Sequence, residues 1–157
     1  MPVQTTTRKK VTGRTVFGVQ YQFVTVPNTK FYGHVKEWHK GKPVLITDKE
    51  KTLVDCADDV ERAGTIEELA KAVKSAMGEI SWVKLDEYVT RFPNRAVAKR
   101  LGYLFETLVP ELPAETREIL ASWQRNLSAG VVPLQSSKSK TGKISTRWRV
   151  RLNVRFG

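Results

Sequence analysis

The chain has 157 residues, one cysteine, 40% hydrophobic residues and a formal net charge of +11, with a pI near 10.0. Its length suits one domain with a real core, and its single cysteine excludes an internal disulfide. No apolar run approaches the ~20 residues that span a bilayer, so we expect one cytoplasmic domain over residues 1–157 that binds a polyanion, nucleic acid rather than a membrane.

Residues 1–47 have the pattern of β-strands. In "FGVQYQF" the apolar side chains alternate with glycine and glutamine, at Phe17, Val19, Tyr21 and Phe23. Two further runs, "YGHVKEW" and "PVLIT", flank the turn "HKGK". They predict a hairpin whose loop has two or four residues, with Pro43 at a strand start or an edge.

Residues 48–125 have a helical period and predict about five helices. The predicted starts are a capping box at Thr47 and Glu50, a second at Thr65 and Glu68, Ser81, a cap at Asn94, and Pro113. Cys56 falls on the apolar face of the first helix, which predicts a buried and inert thiol. The four tryptophans mostly lie at apolar positions, so we expect them in the core rather than as stacking platforms.

Residues 131–157 are a loop followed by the segment "RWRVRLNVRF" over residues 147–156. Its apolar residues recur at every second position, at Trp148, Val150, Leu152, Val154 and Phe156. This period predicts a strand with one face in the core. The order of the predicted elements, strands followed by helices and a last strand, favours an α+β fold over a parallel βαβ sheet. A last strand can also return to pair with the first ones. In this fold, a basic mixed or antiparallel sheet from both ends would flank the helices.

The positive charge belongs to the two ends of the chain. Residues 1–51 carry a net charge of +7, residues 52–134 carry −3, and residues 135–157 contain seven basic side chains and no acid. Like charges side by side repel unless something negative lies across them, and arginine suits phosphate geometry. We therefore predict contact with nucleic-acid phosphates, without sequence specificity, through Arg147, Arg149, Arg151, Arg155, Lys138, Lys140, Lys143, Arg8, Lys9, Lys10 and Arg14.

The sequence indicates no catalytic residue, metal or cofactor. "TGKIST" lacks the glycine five positions before Gly142 that a phosphate loop requires, and no ligand cluster accompanies His34 and His39. Asp55 and Asp59 share a helical face, as many solvated pairs do. Two alternatives stay open: a module that docks an acidic protein partner, and, with less support, a metal-dependent nuclease that uses Asp55 and Asp59.

The order of four segments resembles the AbiEi-type antitoxins of type IV toxin–antitoxin systems, which act in bacterial abortive infection. The segments begin "TTTRKKVTGR", "ITDKEKTLVD", "FPNRAVAKRL" and "VPLQSSKSKT". The match covers nearly the whole chain. It is most specific in "DKEKTLVD", residues 48–55, and "NRAVAKRLGYL", residues 94–104.

The resemblance implies the C-terminal domain of that family. There, an N-terminal winged helix binds the operator, and the C-terminal domain contributes to DNA binding. The same domain counteracts a nucleotidyltransferase toxin without needing a stable complex. This chain has no winged-helix counterpart, so we expect a fragment or a short stand-alone member that keeps the antitoxin role and the nonspecific contacts to DNA, or to RNA. Arg95, Lys99 and Arg100 are expected to extend the basic surface.

Overall fold

The computed structural model describes residues 3–155, so Phe156 of the predicted last strand lies outside the described residues. The strands are β1 Val3–Thr7, β2 Arg14–Val16, β3 Val19–Thr25, β4 His34–His39, β5 Lys42–Thr47, β6 Val132–Pro133, β7 Lys143–Ser145 and β8 Val150–Leu152. The helices are α1 Lys49–Asp58, α2 Ile66–Ala76, α3 Trp82–Arg91, α4 Ala96–Leu108 and α5 Ala114–Arg125, with 3₁₀ turns at Asn28–Lys30 and Val60–Arg62. The predicted α+β class, with five helices and mixed or antiparallel sheets, is confirmed.

Side-chain caps begin the first three helices. Thr65 accepts a hydrogen bond from the Glu68 amide at 3.3 Å, and Ser81 accepts one from Lys84 at 3.3 Å, both at the predicted positions. The first prediction is wrong by one residue, because Asp48 is the cap of α1 and accepts from the Lys51 amide at 2.8 Å. The short carboxylate of Asp48 takes the role predicted for Thr47.

The core lies among the helices, where side chains at helical spacing face one another. Those exposing 0% of their surface include Val54, Leu69, Leu85, Leu101 and Phe105. Burying each such side chain stabilises the fold by about 1.5–3 kcal/mol relative to exposure. Of the helices within residues 3–155, none is both long and apolar enough to cross a bilayer.

The eight strands form three separate small sheets. Their strand orders are β1-β3-β2, β4-β5 and β6-β8-β7. The prediction that the last strand pairs with the first ones is wrong, since β8 pairs parallel with β6 and antiparallel with β7. These neighbours occupy both edges of β8, so no edge is left for an N-terminal strand.

Two hairpins have two-residue turns with positive φ at both positions. The predicted hairpin β4–β5 turns at Lys40 (φ 48°) and Gly41 (φ 75°), and Pro43 lies in β5, which is an edge strand of its two-stranded sheet. The turn between β2 and β3 is Phe17 (φ 49°) and Gly18 (φ 78°). Phe17 is therefore fully exposed in a turn, where the alternation predicted a strand residue.

Candidate nucleic-acid interface

The predicted ten-residue terminal strand contains one three-residue strand, β8, which is preceded by a turn. Trp148 in this turn is 1% exposed and its ring covers Gly102 of α4, where an added Cβ would overlap the ring. Its indole Nε1 donates to Glu106 Oε2 at 2.6 Å. The chain returns to β8 through Arg149, whose φ is +54°. Seating the indole thus bends the backbone and shortens the strand.

The apolar side of the segment follows the prediction, but the arginines do not form one open row. Arg147 donates through Nε to both Glu106 oxygens, at 2.8 and 2.9 Å. Arg149 donates to the carbonyl oxygen of Ser128 at 2.8 Å, beyond the end of α5. Arg151 is half-buried and Arg155 is exposed. These four side chains therefore have four different environments.

The three predicted lysines of this region, Lys138, Lys140 and Lys143, are exposed, and the loop that carries the first two is held in place. Gln135 Oε1 accepts a hydrogen bond from the Ile66 amide at 3.1 Å, at the start of α2. The Ser137 amide donates to Glu61 at 2.9 Å. We call residues 136–143 the lysine loop. Because its backbone is anchored, its lysines are presented at a defined place.

The N-terminal basic residues lie on the first sheet and its connection. Arg8, Lys9 and Lys10 follow β1, and Arg14 begins β2; all four are exposed. The Arg8 guanidinium lies 5.6 Å from the centre of the Phe31 ring, within cation–π range.

The short 3₁₀ turn Val60–Arg62 borders both basic regions. Glu61 accepts the hydrogen bond from the lysine loop, and Arg62 lines a cleft together with residues of β1 and β3. The two ends are thus brought to the same turn of the helical block, although they do not share a sheet.

Most of the predicted cations form no ion pair with an acidic side chain. Of the eleven, only Arg147 forms an ion pair within residues 3–155. The remaining ion pairs join cations and acids of residues 30–84, for example Lys30 with Asp58 at 2.7 Å. The excess charge of the two ends is therefore not neutralised by the described part of the chain.

Two residues expected on the basic surface are instead structural. Lys99 is 1% exposed, with Nζ donating to the carbonyl oxygen of Gly130 at 2.8 Å, and burial lowers its pKa. Arg100 is 4% exposed and donates to the carbonyl oxygens of Ala57 and Pro133, joining α1 to the C-terminal sheet. The spacing held a signal, because Arg100 falls on the same helical face as its apolar neighbours. Only Arg95 of this group is exposed.

The carboxylates proposed for a nuclease are engaged with cations. Asp55 bonds to Lys51, and burial raises its pKa, while Asp59 lies 3.4 Å from Arg62. Within residues 3–155 no group of three His, Cys, Asp or Glu side chains is placed to hold a metal ion. Cys56 is half-buried, where a buried thiol was predicted, and burial raises its pKa to about 11.

Sequence reasoning missed one exposed apolar region, the β4–β5 hairpin. Trp38 is 70% exposed and Leu45 is 68% exposed, although the tryptophans were expected mostly in the core. Alternation in a strand does not reveal whether anything covers its apolar face. Comparison of the chain with protein-family models, curated proteins and solved structures finds no match.

Proposed function

We propose that this chain is a noncatalytic antitoxin domain of a type IV toxin–antitoxin system. In phage defence it would act in the cytoplasm against a nucleotidyltransferase toxin, and its DNA contacts would contribute to transcriptional autoregulation. Two kinds of support are independent of each other. The order of the four sequence segments supports the antitoxin role, and the charge distribution supports nucleic-acid contact.

The observation that carries the nucleic-acid part is the unpaired charge of the predicted cations. Ten of the eleven form no ion pair within residues 3–155, whereas lysines of the helical block such as Lys49, Lys51, Lys71 and Lys84 do. A cation held without a partner keeps its full attraction for a polyanion. Each phosphate that it neutralises releases a counterion, which gives binding that weakens steeply with salt.

The lysine loop is the part of this surface best suited to phosphate contact. Its three lysines are exposed and form no ion pair within residues 3–155, and the only acidic side chain shown to interact with one of them is Glu67, with Lys138. Its backbone is fixed by Gln135 and Ser137. Arg147 contributes less because Glu106 already neutralises it. These contacts place phosphates and read no base, so binding is expected to depend little on sequence.

The test is the anisotropy of a labelled ~20-bp duplex across a salt series, where each phosphate contact adds roughly −0.9 to the slope of log K on log salt. The variant replaces Lys138, Lys140 and Lys143 by Gln. The matched control replaces Lys49, Lys71 and Lys74, three exposed lysines of the helical block, by Gln. Both variants remove three charges. Only the loop variant should make the slope less negative, by up to about 2.7, because only its lysines are proposed to contact phosphates.

An equal loss in both variants would show that net charge, and not the lysine loop, governs binding. An unchanged slope in the loop variant would remove the loop from the interface. If the wild-type protein bound no duplex at low salt but bound the toxin in a complex dissolved by moderate salt, the basic surface would belong to an acidic protein partner.

The antitoxin role is tested separately by co-expressing the chain with the cognate nucleotidyltransferase toxin and following growth. We expect growth to be restored without co-purification of the two proteins. Continued toxicity at normal levels of folded protein would refute the antitoxin role and leave the nucleic-acid contacts untouched.

A further inference from the structure

A cleft of about 810 Å³ separates the N-terminal sheet from the β4–β5 hairpin and reaches down to α1. This volume lies in the ~300–1,000 Å³ range of ligand sites. Its walls are rich in aromatic and apolar side chains, which include Tyr21, Phe31, His34, Trp38 and Leu45. The surrounding residues 1–51 carry a net charge of +7.

The most exposed tryptophan of the protein stands in this cleft. Trp38 is 70% exposed, while Trp123 is 4% and Trp148 is 1% exposed. A two-stranded hairpin is marginally stable on its own, and here it presents apolar side chains to water. An exposed indole in a concave basic surface is the usual platform for a stacked base.

Exposed cations adjoin residues that line this cleft. Trp38 is opposite Pro43 and Lys36 is opposite Leu45, so these four side chains share one face of the hairpin. Lys36 is two residues from Trp38, about 6.8 Å along the strand. Lys40 and Lys42 lie at the hairpin turn, and Arg8 contacts the Phe31 ring at the opposite wall.

An arginine with two buried, unsatisfied donor atoms borders the cleft. Arg62 lines the cleft, and its buried Nε and Nη1 have no hydrogen-bond acceptor within residues 3–155. Asp59 lies 3.4 Å from Nε, and Asp55 lies nearby bonded to Lys51, so the guanidinium charge is partly balanced. Glu37 is the other carboxylate of the lining.

We infer that this cleft binds a single-stranded polynucleotide. One base stacks on Trp38 within the cleft, while the phosphates contact the neighbouring exposed cations Lys36, Lys40, Lys42 and Arg8. Duplex DNA hides its base faces, so only unpaired nucleotides can use this platform. The inference rests on the proposed contact with nucleic-acid phosphates and adds the recognition of bases to it.

The experiment compares labelled dT12, rU12 and a 12-mer of abasic sites, which has the same phosphates as dT12 but no bases. We expect the wild-type protein to bind dT12 about tenfold more tightly than the abasic strand, the equivalent of about 1.4 kcal/mol for one stacked base. We also expect dT12 to quench tryptophan fluorescence. Trp38→Ala should abolish both the preference and the quenching, and Trp38→Phe should retain most of the preference.

Phe17→Ala is the matched control, since Phe17 is a fully exposed aromatic ring on another hairpin. It should keep the preference for dT12. If it lost the preference as Trp38→Ala does, or if Trp38→Ala weakened dT12 and the abasic strand alike, the cleft would not be a stacking site. Tighter binding of rU12 or of dT12 would distinguish RNA from DNA as the source of the strand.

The result that overturns the inference alone is equal binding of dT12 and the abasic strand by a protein that still binds duplex. Binding of no nucleic acid at all would overturn the proposed function as well. If a decaglutamate peptide quenched the tryptophan fluorescence and neither oligonucleotide did, the cleft would bind an acidic protein partner. The inference would then be rejected.

Discussion

The helical block and the two β regions differ in how far their charged side chains form ion pairs. In the block, charged side chains are paired across elements: Glu50 of α1 accepts from the Ser81 amide at 2.6 Å, and Lys84 lies 3.4 Å from the same carboxylate. In the β regions, exposed lysines and arginines have almost no acidic neighbours. Paired charges support a fold, whereas unpaired like charges repel one another and keep their attraction for a polyanion.

The comparison also separates two kinds of arginine and lysine that look alike in the sequence. Lys99 and Arg100 are buried and hold backbone carbonyl groups, and Lys51 lies within 4.9 Å of the centre of the Tyr32 ring. Lys138 and Lys140 are exposed on a fixed loop. Side chains of the first kind should matter for stability and those of the second kind for binding.

The largest effect is expected where the C-terminal region is joined to the block. Trp148→Ala should lower the free energy of unfolding by about 3–5 kcal/mol, because it empties the space over Gly102 and leaves Glu106 without the indole donor. Urea denaturation followed by circular dichroism measures this. A loss below about 1 kcal/mol would mean that the C-terminal sheet is not part of the cooperative unit.

Removing a buried charge of the block should have the next largest effect. Lys51→Met leaves Asp55 half-buried without its cation and should cost about 3 kcal/mol. The double variant Lys51→Met, Asp55→Leu should recover much of this loss. Thermal unfolding of both variants tests the pair, and equal stability of the single and double variants would contradict it.

Freeing the one paired cation of the C-terminal segment should make the two regions more different. Glu106→Gln removes the charge opposite Arg147 and keeps an oxygen for the Trp148 indole, so duplex affinity should rise about two- to fivefold, as expected for an exposed ion pair. Anisotropy at low salt checks this. The prediction fails if Arg147→Gln weakens wild-type binding as much as the three-lysine loop variant does.

The smallest effect is a pH dependence within the block. Burial raises the pKa of Asp55 above its ordinary value of 3.8, so between these two values the folded protein binds more protons than the unfolded chain. The contribution of Asp55 to stability is complete below the ordinary value and is lost as pH rises through the folded value. The stability of the wild type relative to Asp55→Asn should therefore fall as pH rises above 3.8, as urea midpoints would show. A constant difference would exclude this shift.

Local signals predicted the helices well because capping and periodicity act within a few residues. Thr65 and Ser81 begin their helices as predicted, and the one-residue error at Asp48 arose between two adjacent side chains that both suit a cap. The inward side of the last segment was also predictable from its alternation, since Trp148 and Val150 are buried.

The missed features depend on contacts between distant parts of the chain. Examples are the pairing of β8 with β6 and β7, the neutralisation of Arg147 by Glu106, and the left-handed turn at Arg149 beside the buried Trp148. For the candidate site, the sequence therefore located the charge in the right regions but not its arrangement. The sequence did not predict the cleft beside Trp38, because alternation does not show what covers a strand.

The contact of Trp148 with Gly102 has a consequence for local unfolding of the protein. The two residues are far apart in sequence, and the contact of the indole with Gly102 joins the C-terminal region, which includes the lysine loop, to α4. Partial opening at this contact would release the C-terminal sheet as a unit while α1 to α4 stay folded. Amide hydrogen exchange of Val150 and Leu152 would then report a separate, lower opening energy than that of Leu101. The fixed position of the lysine loop would thus depend on how long the Trp148 indole stays packed against Gly102.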